Sequence, residues 1–159
     1  MPHSTFKVVT HSPEETKELA RRLASLLHAG DVISLTGDLG AGKTCFTQGL
    51  GEALGIKRRI TSPTFNLIKE YKNTLPLYHF DLYRLDSPLE MLDLGYEEYF
   101  FGDGITVIEW GDKVVSLLPS NYLEISFKRL LDENVRELQI FPHGPRWEKA
   151  IKEWIKPEE

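Results

Sequence analysis

The sequence predicts a single-domain α/β fold spanning residues 1–159, in three layers, with a mixed central sheet and helices on both faces. Three observations predict it. The runs "DVISLT" (31–36) and "ITVIEW" (105–110) are continuously apolar, as strands buried on both faces are. Capped, helix-patterned stretches stand between such runs. Two further pairs of strand-like runs are joined by short polar turns, the pattern of hairpins. A chain of 159 residues with 41% hydrophobic and 27% charged residues can bury one core and has an ordinary globular composition.

Each element follows from local signals. "TFKVVT" (5–10) is a β-branched run and reads as a strand. Ser12 caps a first helix, with Pro13 in its first turn and Glu15 completing a capping box. Leu19, Leu23, Leu26 and Leu27 recur at helical spacing, and Gly30 supplies the stop. After "DVISLT" a glycine-rich turn leads into a helix that runs to about Leu54 and closes at Gly55. "TFNLIKEY" (64–71) and "LPLYHFDLY" (75–83) flank Lys72-Asn73-Thr74 as a hairpin. Ser87-Pro88-Leu89-Glu90 opens a short helix bearing Leu89, Met91 and Leu92. "YLEISFKRL" (122–130) and "VRELQIF" (135–141) surround Asp132-Glu133-Asn134 as a second hairpin. Trp147, Ala150, Ile151, Trp154 and Ile155 form one stripe of a terminal helix (146–156), packed on the sheet within the same domain.

Composition excludes several functions. A formal net charge of -5 argues against a dedicated DNA or RNA binder. The single cysteine, Cys45, excludes an intramolecular disulfide and a cysteine-cluster zinc site. The five histidines show no H-E-x-x-H pairing. The apolar runs are strand-sized and Met1-Pro2-His3-Ser4 begins no signal peptide, so a cytoplasmic protein without a membrane partner is expected.

The strongest motif is Gly37-x-x-x-x-Gly42-Lys43-Thr44, a full match to G-x-x-x-x-G-K-[ST] between a buried strand and a helix. Glycines at Gly37, Gly40 and Gly42 let the backbone turn its N–H groups inward on phosphate oxygens, with Asp38, Leu39 and Ala41 completing the loop. The helix N-terminus adds partial positive charge. Lys43 reaches toward β- and γ-phosphates, and the Thr44 hydroxyl suits Mg²⁺. Neither N-K-x-D nor D-x-x-G occurs, so ATP is favoured over GTP by default. The fold expected is therefore that of a P-loop nucleoside triphosphatase.

Phosphoryl transfer also needs a carboxylate near the metal and a group that orients the nucleophile. Asp81 in "LYHFDLYRL" and Glu109 in "ITVIEW" stand at ends of apolar strands and suit either task; strand-end acids also commonly cap or face solvent. Glu109 follows the more buried run and resembles a Walker-B acid. Ser62-Pro63-Thr64 in "TSPTF" (61–65) either senses the γ-phosphate or simply starts a strand. Lys57-Arg58-Arg59 is a solvated surface run or a contact for a phosphate backbone or acidic partner. Cys45 reads as a small helix-packing residue.

"TGDLGAGKTCF", "TSPTFNLIKEY", "LYHFDLYRL" and "VIEW" occur in the order and approximate spacing of the bacterial TsaE (YjeE) family, which the chain resembles from about Phe6 to Leu118. The resemblance implies a cytoplasmic ATPase, binding ATP or ADP with Mg²⁺, weak alone and stimulated by the TsaB–TsaD heterodimer. It implies a role in threonylcarbamoyl modification of adenosine at position 37 of ANN-decoding tRNAs, with tRNA met indirectly through that complex. By the same resemblance Lys43, Asp81 and Glu109 are catalytic, and Thr44, Asp81 and Glu109 serve the metal. The loop from Gly37 to Cys45, Thr64 and Trp110 would bind nucleotide. Two positions depart from the family pattern: Cys45 stands where threonine is common, and Lys113 where an arginine is common. Two other readings of the same loop are a small-molecule or nucleotide kinase and a nucleotide-gated scaffold.

Overall fold

The computed structural model describes residues 5–38, 40–61 and 67–155. Among these residues seven strands form one sheet: β1 (Phe6–Thr10), β2 (Val32–Gly37), β3 (Ile68–Tyr71), β4 (Leu77–Asp81), β5 (Ile105–Glu109), β6 (Tyr122–Arg129) and β7 (Arg136–His143). Their order is β1-β7-β6-β2-β5-β4-β3. The middle four, β6-β2-β5-β4, are parallel neighbours. Antiparallel partners close both flanks, β7 and β1 on one side and β3 on the other. The sheet is mixed, as expected, and both expected hairpins form.

The helices are α1 (Pro13–Ala24), α2 (Lys43–Ala53), α3 (Glu90–Asp93), α4 (Tyr96–Phe100) and α5 (Pro145–Trp154). Alternation along the buried strands divides their side chains between two apolar clusters. Ile33, Leu35, Ile105, Val107, Leu123 and Ile125 face α1, α2 and α5. Val32, Phe80 and Ile108 face Met91 of α3, Phe100 of α4 and Val114 of a 3₁₀ segment, Gly111–Leu117. Helical layers thus cover both faces, which is why β2 and β5 read as unbroken apolar runs.

Local cap chemistry behaves largely as the residue pattern predicts. The Ser12 side chain accepts the Glu15 N–H, and Pro13 opens α1. The Glu15 carboxylate reaches one residue further back than a capping box requires, to the His11 N–H. The expected stop at Gly30 is corrected: α1 ends at Ala24, and turns occupy residues 25–26 and 29–30. The Arg146 guanidinium of α5 donates to the Leu26 carbonyl at 2.5 Å, and Asp31 accepts the His28 N–H, so tertiary partners replace the last helical turn. The short helix after Ser87 starts at Glu90, whose carboxylate accepts the Asp86 and Ser87 N–H groups. Helix α4 and the 3₁₀ segment were not foreseen. The expected strand starting at residue 64 is described only as β3 from Ile68, and the end of the terminal helix beyond residue 155 lies outside the described residues.

Candidate nucleotide and catalytic site

The site sits at the carboxyl ends of parallel strands, where α/β sheets leave a crevice for ligands. β2 ends at Gly37, β4 at Asp81 and β5 at Glu109. The loop between β2 and α2 needs conformations that L side chains resist: φ is +116° at Gly37, +75° at Gly40 and +105° at Gly42. Gly42 leads directly into α2, so the first turn of that helix faces the loop.

Lys43 is buried at 4% exposure, and its ammonium donates to the carbonyls of Gly37 (2.9 Å) and Asp38 (2.8 Å). It also lies 4.1 Å from the centre of the Trp110 ring. Desolvation lowers its pKa, with partial compensation from the negative charges of Glu109, Asp112, Asp38 and Asp81. The Thr44 hydroxyl donates to both Glu109 oxygens, at 3.2 and 3.1 Å. Asp81 and Glu109 are register partners on β4 and β5, so their side chains leave the same face of the sheet. Burial raises the Asp81 pKa; the Tyr83 N–H, which Asp81 accepts at 3.1 Å, opposes that shift, and the nearby Glu109 charge adds to it.

Gly40, Gly42, Lys43, Thr44, Cys45, Asp81, Tyr83, Glu109 and Trp110 line one cavity of about 320 Å³. Residues far apart in sequence are therefore brought together. Trp110 alone among the described non-glycine residues has a positive φ, +65°, which turns the chain sharply after β5 and presents the indole to Lys43. Cys45 lies at the cavity rim with its thiol 3.5 Å from the Pro13 carbonyl, and burial pushes that thiol's pKa up. Leu39 and Thr64 lie outside the described residues. Asp38 is exposed, and its carbonyl rather than its carboxylate meets Lys43; Ala41 is buried beneath the loop.

Other sequence candidates fall elsewhere. Lys57, Arg58 and Arg59 are exposed and line a concavity of about 270 Å³; Lys57 and Arg58 also line a second of about 330 Å³, and neither shares a residue with the Lys43 cavity. Arg84 is exposed and does not line the cavity either. Lys113, the departure from the family pattern, donates to the carbonyls of Tyr83 (2.6 Å) and Leu85 (3.3 Å). It braces the segment after β4, a task for a flexible ammonium rather than a planar guanidinium fork. One buried group escaped sequence reasoning. His79, fully buried on β4, lies with Nε2 2.5 Å from Glu109 Oε2. Its place in "LYHFDLYRL", two residues before Asp81 and on the same strand face, is a sequence signal for it.

A family profile described as threonylcarbamoyl adenosine biosynthesis protein TsaE matches residues 10–138. The chain belongs to the TsaE family. A TsaE-family protein from Bacillus subtilis (strain 168), named tRNA threonylcarbamoyladenosine biosynthesis protein TsaE, is 47% identical over 145 residues, covering 91% of this chain and 90% of its own. The TsaE of Treponema pallidum (strain Nichols) is 44% identical over 135 residues, covering 85% of this chain and 99% of its own. The crystal structure of Bacillus subtilis YdiB matches with a TM-score of 0.81 and 41% identity, over 97% of this chain and 96% of that one. The TsaE profile ends at Leu138, inside β7, so α5 and its tryptophans belong to the fold without being part of the matched region. Among the described residues, no helix is long and apolar enough to cross a membrane.

Proposed function

We propose that this TsaE-family chain binds ATP with Mg²⁺, hydrolyses it, and serves threonylcarbamoyl modification of tRNA by acting on a TsaB–TsaD complex. The observation that carries the ATPase reading is the convergence of Lys43, Thr44, Asp81 and Glu109 on one cavity, with Thr44 bonded to Glu109. The pathway part rests on the names of the relatives and on the resemblance.

The residues present fit the metal as well as the nucleotide. Asp81 and Glu109 crowd two carboxylates at one sheet edge, and the raised Asp81 pKa registers the unrelieved burial and repulsion. Among the described residues, no group of three or more His, Cys, Asp or Glu side chains forms a protein cage for a metal. That suits Mg²⁺, which keeps water and phosphate ligands and takes few from protein. Thr44, Asp81 and Glu109 are the oxygens that would hold it, and its charge would offset the charge on the β- and γ-phosphates.

The protein's own groups divide the remaining tasks. Backbone N–H groups of the loop and the first turn of α2 bind phosphate oxygens. Lys43 exchanges its two loop carbonyls for phosphate oxygens, so its ammonium is held in place before nucleotide arrives. Trp110 backs that ammonium and limits water access to it. Glu109 accepts a hydrogen bond from the attacking water and takes its proton as the oxygen bonds to the γ-phosphorus; ADP leaves with the bridging oxygen. Among the described residues no arginine lines the cavity, which accords with slow turnover by the chain alone and a faster rate in a complex.

The test is reconstitution with TsaB and TsaD, measuring ATP turnover and modified tRNA. Turnover stimulated by the complex and abolished by Glu109→Ala, with nucleotide still bound, is the expected result. Stoichiometric phosphorylation of an added small acceptor would replace the reading with a kinase. In a direct binding assay, Lys43→Ala is expected to weaken ATP and ADP by about tenfold or more, because charge-assisted phosphate contacts are lost. Affinity equal to the parent protein's would remove Lys43 from the site.

A further inference from the structure

We propose that His79 is a positioning residue that holds the Glu109 carboxylate in its working orientation. This rests on the reading of Glu109 as the group that orients water. His79 and Glu109 stand on adjacent parallel strands, His79 two residues before Glu109's register partner Asp81 and on the same face. Both are buried, at 0% and 4% exposure, and Nε2 lies 2.5 Å from Oε2.

An ionised carboxylate only accepts hydrogen bonds, so the ring nitrogen facing it must carry the proton. In the neutral ring that is the Nε2–H tautomer. The other nitrogen, Nδ1, is then a bare acceptor, and it has no partner among the described residues. Leaving a buried polar atom unpaired costs about 1–3 kcal/mol, a penalty that leucine or phenylalanine would avoid at a position serving only to fill space. The structural return for that penalty lies on the Nε2 side, in the bond to Glu109.

The arrangement also gives His79 a distinct task. Among the described residues, the side-chain donors to Glu109 are the Thr44 hydroxyl and His79. The single Thr44 O–H is shared between the two Glu109 oxygens, and its lone pairs are what a metal would take under the proposed function. His79 is the donor directed at one oxygen alone. It fixes Oε2 and leaves Oε1, held only by the shared Thr44 hydroxyl, as the oxygen that receives the proton.

The experiment combines variants with a measurement that needs no turnover. His79→Leu removes the donor and keeps apolar bulk; His79→Gln returns an N–H donor near the Nε2 position. Melting temperatures identify folded variants. In the reconstituted complex, His79→Leu is expected to lower kcat by roughly tenfold or more, as loss of an orienting partner does. Its KM and ADP affinity are expected to stay within about threefold of the parent's, because the contacts that bind ground state and transition state alike are untouched. His79→Gln is expected to recover most of kcat. A folded His79→Leu variant with parental kcat, or Leu and Gln variants equally impaired, overturns the proposal. Independently, imidazole ¹⁵N–¹H spectra of the nucleotide-free protein should show the Nε2–H tautomer, its proton resonance moving on Glu109→Ala. An Nδ1–H tautomer, or a resonance indifferent to Glu109, overturns the proposal even where His79→Leu fails to fold. Absence of turnover in the parent protein would instead remove the ATPase reading, and the spectra would then decide whether His79 holds Glu109.

Discussion

Asp81 and Glu109 face each other across adjacent strands, and that pairing has a pH signature at the scale of single residues. Burial holds the Asp81 carboxyl above the ordinary carboxylate range, partly opposed by the Tyr83 N–H and reinforced by Glu109. A carboxyl whose folded-state pKa is raised contributes stability below its unfolded pKa and loses that contribution as pH rises through the folded value. The nucleotide-free protein should therefore gain melting temperature on Asp81→Asn at neutral pH. The gain should shrink as pH falls into the acid range, where the parent's Asp81 is itself protonated. Melting curves at matched ionic strength across that range check it; a gain independent of pH would remove the electrostatic account. Loop, strand-end acids and indole were all legible as residues, because each sits in a motif of contiguous letters. His79 was not, because its partner lies 30 residues away on another strand, and a histidine inside an apolar run looks like any core residue. The bracing of the post-β4 segment by Lys113 was hidden for the same reason, since backbone carbonyls carry no mark in a sequence.

Helices α1 and α2 show how an element can be placed by the absence of a side chain. Gly49 in the middle of α2 lies against α1: a Cβ there would stand 2.7 Å from the Lys17 carbonyl oxygen and 3.0 Å from the Ala20 Cβ. Alanine is worth about 1 kcal/mol over glycine in a helix interior, so propensity alone favours Gly49→Ala. The contact with α1 backbone opposes it, since two packed helices must separate to admit the methyl group. Gly49→Ala is expected to lower the melting temperature and to weaken nucleotide binding slightly, because α2 carries Lys43 and Thr44. Thermal unfolding and an ADP titration test both effects; an unchanged or higher melting temperature would mean that α1 yields freely. The strands were legible as elements because burial on both faces leaves long apolar runs. Helix α4 and the 3₁₀ segment were not, being too short to show a period. The end of α1 was misread for a further reason: Gly30 looks like a stop, but Arg146, 120 residues from Leu26, is what satisfies the carbonyl near the true end.

The whole molecule is closed by its two terminal portions. β1 pairs with β7, Phe6 opposite Ile140, and α5 docks Trp147, Ile151 and Trp154 into the cluster shared with α1 and α2. The Trp154 indole donates to the Leu19 carbonyl at 2.9 Å and meets Phe46 edge-on at 6.3 Å between ring centres. Trp154→Ala is expected to destabilise the fold by about 3–5 kcal/mol, the range for removing a large aromatic side chain from a core. Denaturant unfolding measures it. A loss below about 1 kcal/mol would place α5 outside the cooperative unit.

The pairing of β1 with β7 also constrains how the protein is made. On the ribosome, β1 emerges before the other strands and stays without its sheet partner until β7 has been synthesised. The central strand β2 likewise waits for β5 and β6, both far downstream. The nucleotide loop is translated early, but β2 gains its first neighbour only with β5 and its second with β6. Sheet assembly thus waits for β5, β6 and β7, and a nascent chain stalled before them presents unpaired strand edges rather than a working site.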